Sequence, residues 1–294
     1  MSLRAQAGII GFAALAVAAG AFLWVHAHRD RIHGALASAP ELSAAKTARE
    51  LSRLPKTAEP ELPTERRKSP PEPAPGVLRS GEVLEYAADV SKLTNVANLR
   101  LQVLERRDFL GKSAWHLQAF AHTENPLRMV FELDDQFDSY SDAGTLSSLQ
   151  YEMHLNERGQ KLDSVQRMTT DNRAPAPAHA TATRVLPGTR DPLGMMQYLR
   201  NVDWSETREV RSPVYDGHKL YDVHALVAGP SENVTVPAGS FTASKIDIHV
   251  FDNGAEMKDA RFALYLANNA VRTPVLLEAV LPFATAQVQL LRAK

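Results

Sequence analysis

His116, Gln118, Phe120 and His122 fall on one face of an alternating stretch, which would turn both imidazoles, six residues apart, into the concavity of a curved sheet. A metal centre needs three or more ligands in fixed geometry, and His154, His224 and His249 join this pair only under an assumed strand order. Histidines on the wet face of a sheet are the simpler expectation, so no metal and no cofactor is expected. Glu132, Asp134, Asp135, Asp138 and Asp142 invite a calcium reading. Phe131, Leu133, Phe137 and Tyr140 interrupt them where a calcium loop needs alternating oxygen ligands and a central glycine, so they read as a solvated strand edge and turn.

Other chemistry lacks its signature. Ser43 and Lys46 make a Ser-x-x-Lys match in a proline- and charge-rich stretch, with no pocket to lower the lysine pKa. No Gly-x-Ser-x-Gly elbow, P-loop, dinucleotide fingerprint or His-Glu-x-x-His occurs. The Asn233-Val234-Thr235 sequon reads as surface loop. A non-enzymatic protein with no catalytic residues is expected.

Composition narrows the classes further. The chain has 294 residues, a net charge of -1 and no cysteine. A near-neutral chain offers no broad positive field, which argues against nucleic acid as a partner. The missing cysteine excludes disulfides, thiolate sites and a lipidated cysteine.

Three segments with different compositions follow one another. Ala7 to Val25 is an uncharged apolar run of about 19 residues, whose helix would rise roughly 28 Å, enough for a bilayer's hydrocarbon core. Arg4 precedes it and Trp24, His26 and Arg29 close it, as at a membrane interface. The run is longer than a usual cleaved signal, so residues 1–27 are read as a signal anchor, with cleavage as the alternative. Residues 28–80 carry Pro55, Pro60, Pro63, Pro70, Pro71, Pro73 and Pro75 among charges and read as a disordered linker. Residues 81–294 have room for one sizeable core. These features predict a single pass through the inner membrane with the C-terminal domain in the periplasm.

Beyond Gly81 the pattern has period two. Leu84, Tyr86, Ala88 and Val90 alternate with polar residues, as do Ala97, Leu99, Leu101 and Val103, and Leu149, Tyr151, Met153 and Leu155. Further strands are expected over 219–228, 241–251, 260–266, 274–281 and 286–291. Short breaks between them predict antiparallel connections. One helix stands out: Asp191 can cap it, Pro192 suits its first position, and Leu193, Met196, Tyr198, Leu199 and Val202 form its stripe. The expected fold is mainly β, an antiparallel open half-barrel whose one packed helix covers a mouth or face and leaves a concave interior.

Several residues in this order resemble the DUF3108 family. They are Gly81, Glu82 and Tyr86; Asp191, Tyr198 and Arg200; Tyr221 and Val223; the stretch from Val236 through Phe241 to Ile246; and Arg272, Pro274 and Val275. Pro237 to Lys245 is the most specific piece. The resemblance implies an exported or envelope-associated protein with a fold similar to the open half-barrels of the lipoprotein carriers LolA and LolB, and it carries no catalytic residues. Where the family has a Trp and a turn Asp, this chain has Leu264 to Asn269.

The leading expectation is therefore a membrane-tethered envelope domain that takes an apolar or lipid-like ligand. Its interior would be lined by Tyr86, Leu101, Phe120, Tyr151, Tyr198, Phe241, Phe262 and Leu264. The alternative is an interaction module that docks an envelope protein and has no internal ligand.

Overall fold

The computed structural model describes residues 77–170, 180–282 and 284–294. The expected anchor, the Ser43–Lys46 pair and all but the end of the expected linker lie outside them. Among the described residues no helix is long and apolar enough to cross a membrane. Val77 and Leu78, just ahead of Gly81, are buried.

The elements run β1 (Glu82–Val90), β2 (Leu93–Phe109), β3 (Lys112–Thr123), α1 (Leu127–Val130), β4 (Asp134–Asp142), β5 (Ser148–Glu157), β6 (Gln160–Thr169), β7 (Thr181–Arg184), α2 (Pro192–Asn201), β8 (Glu209–Tyr215), β9 (Leu220–Val227), β10 (Glu232–Val236), β11 (Gly239–Asp252), β12 (Ala255–Glu256), β13 (Arg261–Ala267), β14 (Pro274–Val280) and β15 (Thr285–Ala293). They form one sheet with the order β7-β6-β5-β4-β3-β2-β1-β15-β14-β13-β11-β9-β8, while β10 and β12 pair with β11. The ladders are antiparallel apart from β6 with β7. Asn233 therefore lies on the exposed strand β10 rather than in a loop.

Alternation puts every second side chain on one inner face, and directly opposed residues share that face. Tyr86 stands opposite Leu99 and Leu290. Leu101 faces Leu84 and Ala119, and Phe137 faces Ala119 and Met153. Leu264 faces Leu277 and Ile246, and Ala225 faces Ile248 and Val210. All of these but Leu277, which is half-buried, are buried. The sheet thus wraps one continuous apolar face around a core.

The expected open half-barrel is bridged between its two ends. Chain on the way from β7 to α2 crosses from β5 to β8: the Ser148 N–H donates to Thr189 O at 2.9 Å, the Arg190 N–H to Pro213 O at 3.0 Å, and the Tyr215 N–H to Arg190 O at 2.8 Å. Gln166 Nε2 adds a bond of 2.6 Å to Gly217 O in the turn between β8 and β9. The acidic stretch corrects a second expectation. β4 lies between β3 and β5 instead of at an edge, and Asp135 and Asp138 are buried.

Candidate functional site

Helix α2 forms where the sequence predicts it. Asp191 is its N-cap, Pro192 opens it, and Asp191 Oδ1 accepts the Gly194 N–H at 2.8 Å. It ends before Val202, and the Trp204 indole N–H closes the turn on Leu199 O at 2.8 Å. Nine of its ten residues are buried, which a helix lying over a mouth would not show, since one face would stay wet. Met195 and Tyr198 are 0 % exposed and belong to the same core cluster as Leu84, Leu101, Tyr151 and Leu264. α2 is therefore a plug within the core. It packs inside the sheet's apolar face rather than over a mouth.

Both ends of the plug are fixed by polar side chains. At the first turn Ser139 Oγ and Ser148 Oγ each donate to Asp191 Oδ2 at 2.5 Å, and the Asp191 N–H donates to Ser148 Oγ at 2.7 Å. Burial pushes the Asp191 carboxyl up, and the hydrogen bonds from Ser139, Ser148 and the backbone pull against that rise. Gly194 sits so close to β4 and β5 that a Cβ there would lie 2.9 Å from Ser141 Oγ and 3.2 Å from Leu146 O. Beside it Arg190 stacks its guanidinium 3.6 Å over the Tyr198 ring and donates to Ser212 Oγ, Gly188 O and Thr145 O. Desolvation lowers the Arg190 pKa to about 10, so it stays a cation at neutral pH.

At the last turn Arg200 makes a two-pronged ion pair with Glu82 at 2.7 and 2.8 Å, and it also donates to Gln197 Oε1 and Val271 O. Arg272 Nη1 reaches the carbonyls of Arg200 and Asn201, and Tyr86 OH donates to Pro274 O at 2.8 Å. Glu82, Tyr86, Asp191, Tyr198, Arg200, Arg272 and Pro274, noted above for their resemblance, thus meet on or around α2.

The predicted interior residues divide. Tyr86, Leu101, Tyr151, Phe262 and Leu264 lie on the buried inner face, with Tyr198 on α2 inside it. Phe120 stands opposite Arg100 and Gln136, on the outer face with His116 and His122, and it is half-buried. Phe241 lies opposite Val234 in the β10–β11 hairpin, out of phase with Ile246 and Ile248, and is also half-buried. Phe241 still packs against the core cluster, whereas aromatic character alone did not reveal the strand phase of Phe120.

The histidines lie outside the core, each beside a carboxylate: His116 Nε2 is 2.7 Å from Asp138 Oδ1, His154 Nδ1 is 2.7 Å from Asp163 Oδ1, and His249 Nδ1 is 2.6 Å from Glu256 Oε1. Burial raises the Asp138 carboxyl, and hydrogen bonds from His116, Gln136 and Gln118 outweigh that and hold it low. His122 pairs with Asp134, and Arg128 holds that carboxyl low. Among the described residues no group of three or more His, Asp or Glu is placed to hold a metal.

The inner face does hold ionisable groups. Asp135 accepts the Asn156 N–H at 2.9 Å, and burial pushes its carboxyl up to about 7. Burial also raises Asp216, whose Oδ2 has no protein partner, as do the hydroxyls of Tyr198 and Tyr221.

Open space is found on the outside of the sheet. A groove of about 530 Å³ runs across β11, β13 and β14, lined by Lys245, Asp247, His249, Glu256, Arg261 and Glu278. A second groove of about 370 Å³ adjoins it and shares Glu278 and Val280. Val280 is 39 % exposed where they meet, and Glu278 is held by Tyr265 OH and Gln287 Nε2, each at 2.9 Å. Periodicity could not single out this surface, because its residues read as ordinary wet-face positions.

The model described as "Protein of unknown function (DUF3108)" matches residues 85–291. The chain belongs to the DUF3108 family. No curated protein matches its sequence. Among solved structures, the DUF3108 domain is similar to a β-barrel-like DUF1849 protein from Brucella abortus, with 10% identity and a TM-score of 0.47 over 72% of this chain and 96% of that one. A candidate lipoprotein from Parabacteroides distasonis gives 14% identity and a TM-score of 0.34 over 74% and 96% of the two chains. A candidate exported protein with a YmcC-like fold from Bacteroides fragilis gives 11% and 0.28 over 74% and 96%. Likeness at this level is loose, and no ligand or location passes from those proteins to the DUF3108 domain.

Proposed function

We propose that this chain is a non-enzymatic, membrane-tethered domain of the bacterial envelope that docks a protein partner along its outer grooves and carries no ligand inside. The observation that supports this most is the burial of α2 within the sheet, since a carrier would need its helix to lie over an open interior and nine of the ten residues of α2 are core instead. The grooves supply the alternative surface. Lys245, Lys258 and Arg261 balance Asp247, Glu256 and Glu278 around Val280, an arrangement suited to an extended peptide segment with charges of both signs. The uncharged run before Val25 supports a single-pass inner-membrane anchor with the domain in the periplasm.

The test places a photo-crosslinking residue at Val280 in the full chain in intact cells. A discrete protein adduct that disappears when Glu278→Lys is added supports the proposal. Absence of any adduct, or one indifferent to that change, overturns it.

A carrier reading in which α2 swings out is favoured by one feature, the inner-face Tyr198 and Tyr221 hydroxyls and Asp216 Oδ2 without protein partners. Native mass spectrometry of the full chain separates the two: a stoichiometric lipid mass supports the carrier, and the bare chain mass supports docking.

A further inference from the structure

The hairpin of β2 and β3 ends in a turn whose two central residues, Leu110 and Gly111, have φ of 59° and 74°. Such a turn selects Asn, Asp or Gly at both positions, because an L side chain with a bulky β-substituent is strained in the left-handed region. Asn253 before Gly254 follows that logic, and where Arg158 precedes Gly159 the side chain at the first position is at least polar and suited to water. Leu110 gains no burial in return, since it is 58 % exposed. Leu146 also has a positive φ, but it is 1 % exposed and packed in the core. An apolar side chain that is both strained and solvated at an apex contributes nothing to folding that Asn would not supply better.

The surroundings of the apex are basic. Arg106, Arg107 and Lys112 are exposed around it, and the Arg106 and Arg107 side chains lie against the rings of Trp115 and Tyr140, at 6.0 and 5.2 Å. Phe109 stacks on Tyr140 at 4.1 Å, so the base of the turn rests on the sheet. On β2 itself Glu105 and Asp108 oppose these charges; Glu105 pairs with Arg107, and Asp108 accepts the Gly111 N–H. The chain also enters the domain at this end: the Gly81 N–H donates to Val103 O, from which β2 runs on to Phe109, about 20 Å further at strand rise. The N-terminal side, where the sequence places a membrane helix, thus joins the domain at the end that bears the apex.

We infer that the Leu110 apex docks on a lipid surface, with Leu110 entering the headgroup region and Arg106, Arg107 and Lys112 meeting anionic headgroups. A single leucine with three cations binds a bilayer weakly, and a tether in the same membrane makes a weak contact effective by keeping it at high local concentration. Leu93, Met129 and Leu162 are also exposed, but they belong to the opposite end of the strands, and none combines a left-handed turn with a basic collar.

The cysteine-free chain allows a direct test. Full-length L110C and L162C are labelled with an environment-sensitive dye and reconstituted into vesicles of phosphatidylcholine alone or mixed with phosphatidylglycerol. The inference expects the L110C label to shift to the blue and its quenching by spin-labelled lipid to at least double when phosphatidylglycerol is present. L162C should be unaffected, and R106Q/R107Q/K112Q should abolish the L110C response. Leu110→Asn, tested separately, should raise the melting temperature. The inference is overturned if the L110C label stays equally solvated in both vesicles, if L162C responds as strongly, or if Leu110→Asn lowers the melting temperature. Because the grooves take no part in these readouts, the proposed protein docking stands or falls separately.

Discussion

Arg200, 0 % exposed on α2, meets both carboxylate oxygens of Glu82 at the start of β1, joining the interior helix to the strand through which the domain begins. A pair this buried is favourable only while both partners are present. Removing one leaves an unpaired charge in the core at a cost of about 3–5 kcal/mol. Arg200→Ala and Glu82→Gln should therefore each lower stability by several kcal/mol, while Arg200→Met with Glu82→Leu should recover a large part of the loss, as read by thermal unfolding of the full chain in detergent. A loss in the double variant equal to the sum of the two single losses would show that the pair is not coupled.

Gly194 offers a test with an unusual sign. In an open helix Gly→Ala stabilises by about 1 kcal/mol. Here the new methyl meets Ser141 Oγ, Ser148 Oγ and the Leu146 carbonyl, and a backbone oxygen cannot swing aside. Gly194→Ala should destabilise by about 1–3 kcal/mol, the usual cost of overpacking, in the same melts. A stabilised variant would mean that the helix stands off the sheet.

The buried Asp135 makes stability depend on pH. Its carboxyl is raised to about 7 in the fold and returns to the ordinary carboxylate range on unfolding. The folded state then holds a proton that the unfolded state has lost, so this contribution is complete below the unfolded value and fades as pH rises to about 7. Melting temperature should fall between pH 4 and 7 and then level, and Asp135→Asn should flatten that slope. An unchanged slope in the variant would assign the effect to other groups, of which Asp191 and Asp216 are raised in the same direction.

The grooves predict a binding defect without a folding defect. Val280 is 39 % exposed, so Val280→Asp should change the melting temperature little while abolishing partner capture from an adjacent crosslinker at Asp247. Retained capture would place the partner elsewhere.

Much of this architecture was legible in the residues. Alternation marked β1, β2, β5, β9, β11 and β15, because their wet and dry faces differ in hydropathy; β13 and β14, buried on both faces over most of their length, were marked by apolar runs between short breaks, and Asp191-Pro192 marked the start of α2. The position of α2 was not legible. Its stripe satisfied the pattern of a surface helix, while Arg200, Gln197 and Asn201 on the remaining faces read as solvent-facing although they are buried against Glu82, backbone carbonyls and one another. Pattern reading assigns polar residues to water, and it fails where distant partners satisfy them. Phe120 misled for the converse reason, since a large aromatic side chain also packs on the outer face of a sheet.

The central claim, that α2 is core rather than a lid, is tested most directly by hydrogen exchange on the full chain in lipid nanodiscs, comparing the amides of Met195–Asn201 with those of Leu84–Ala88 in β1. The account predicts that the two sets exchange at similarly slow rates, because the helix opens only when the domain unfolds. Exchange of the helix as fast as the 203–208 loop, with β1 still protected, would contradict it and make α2 a lid.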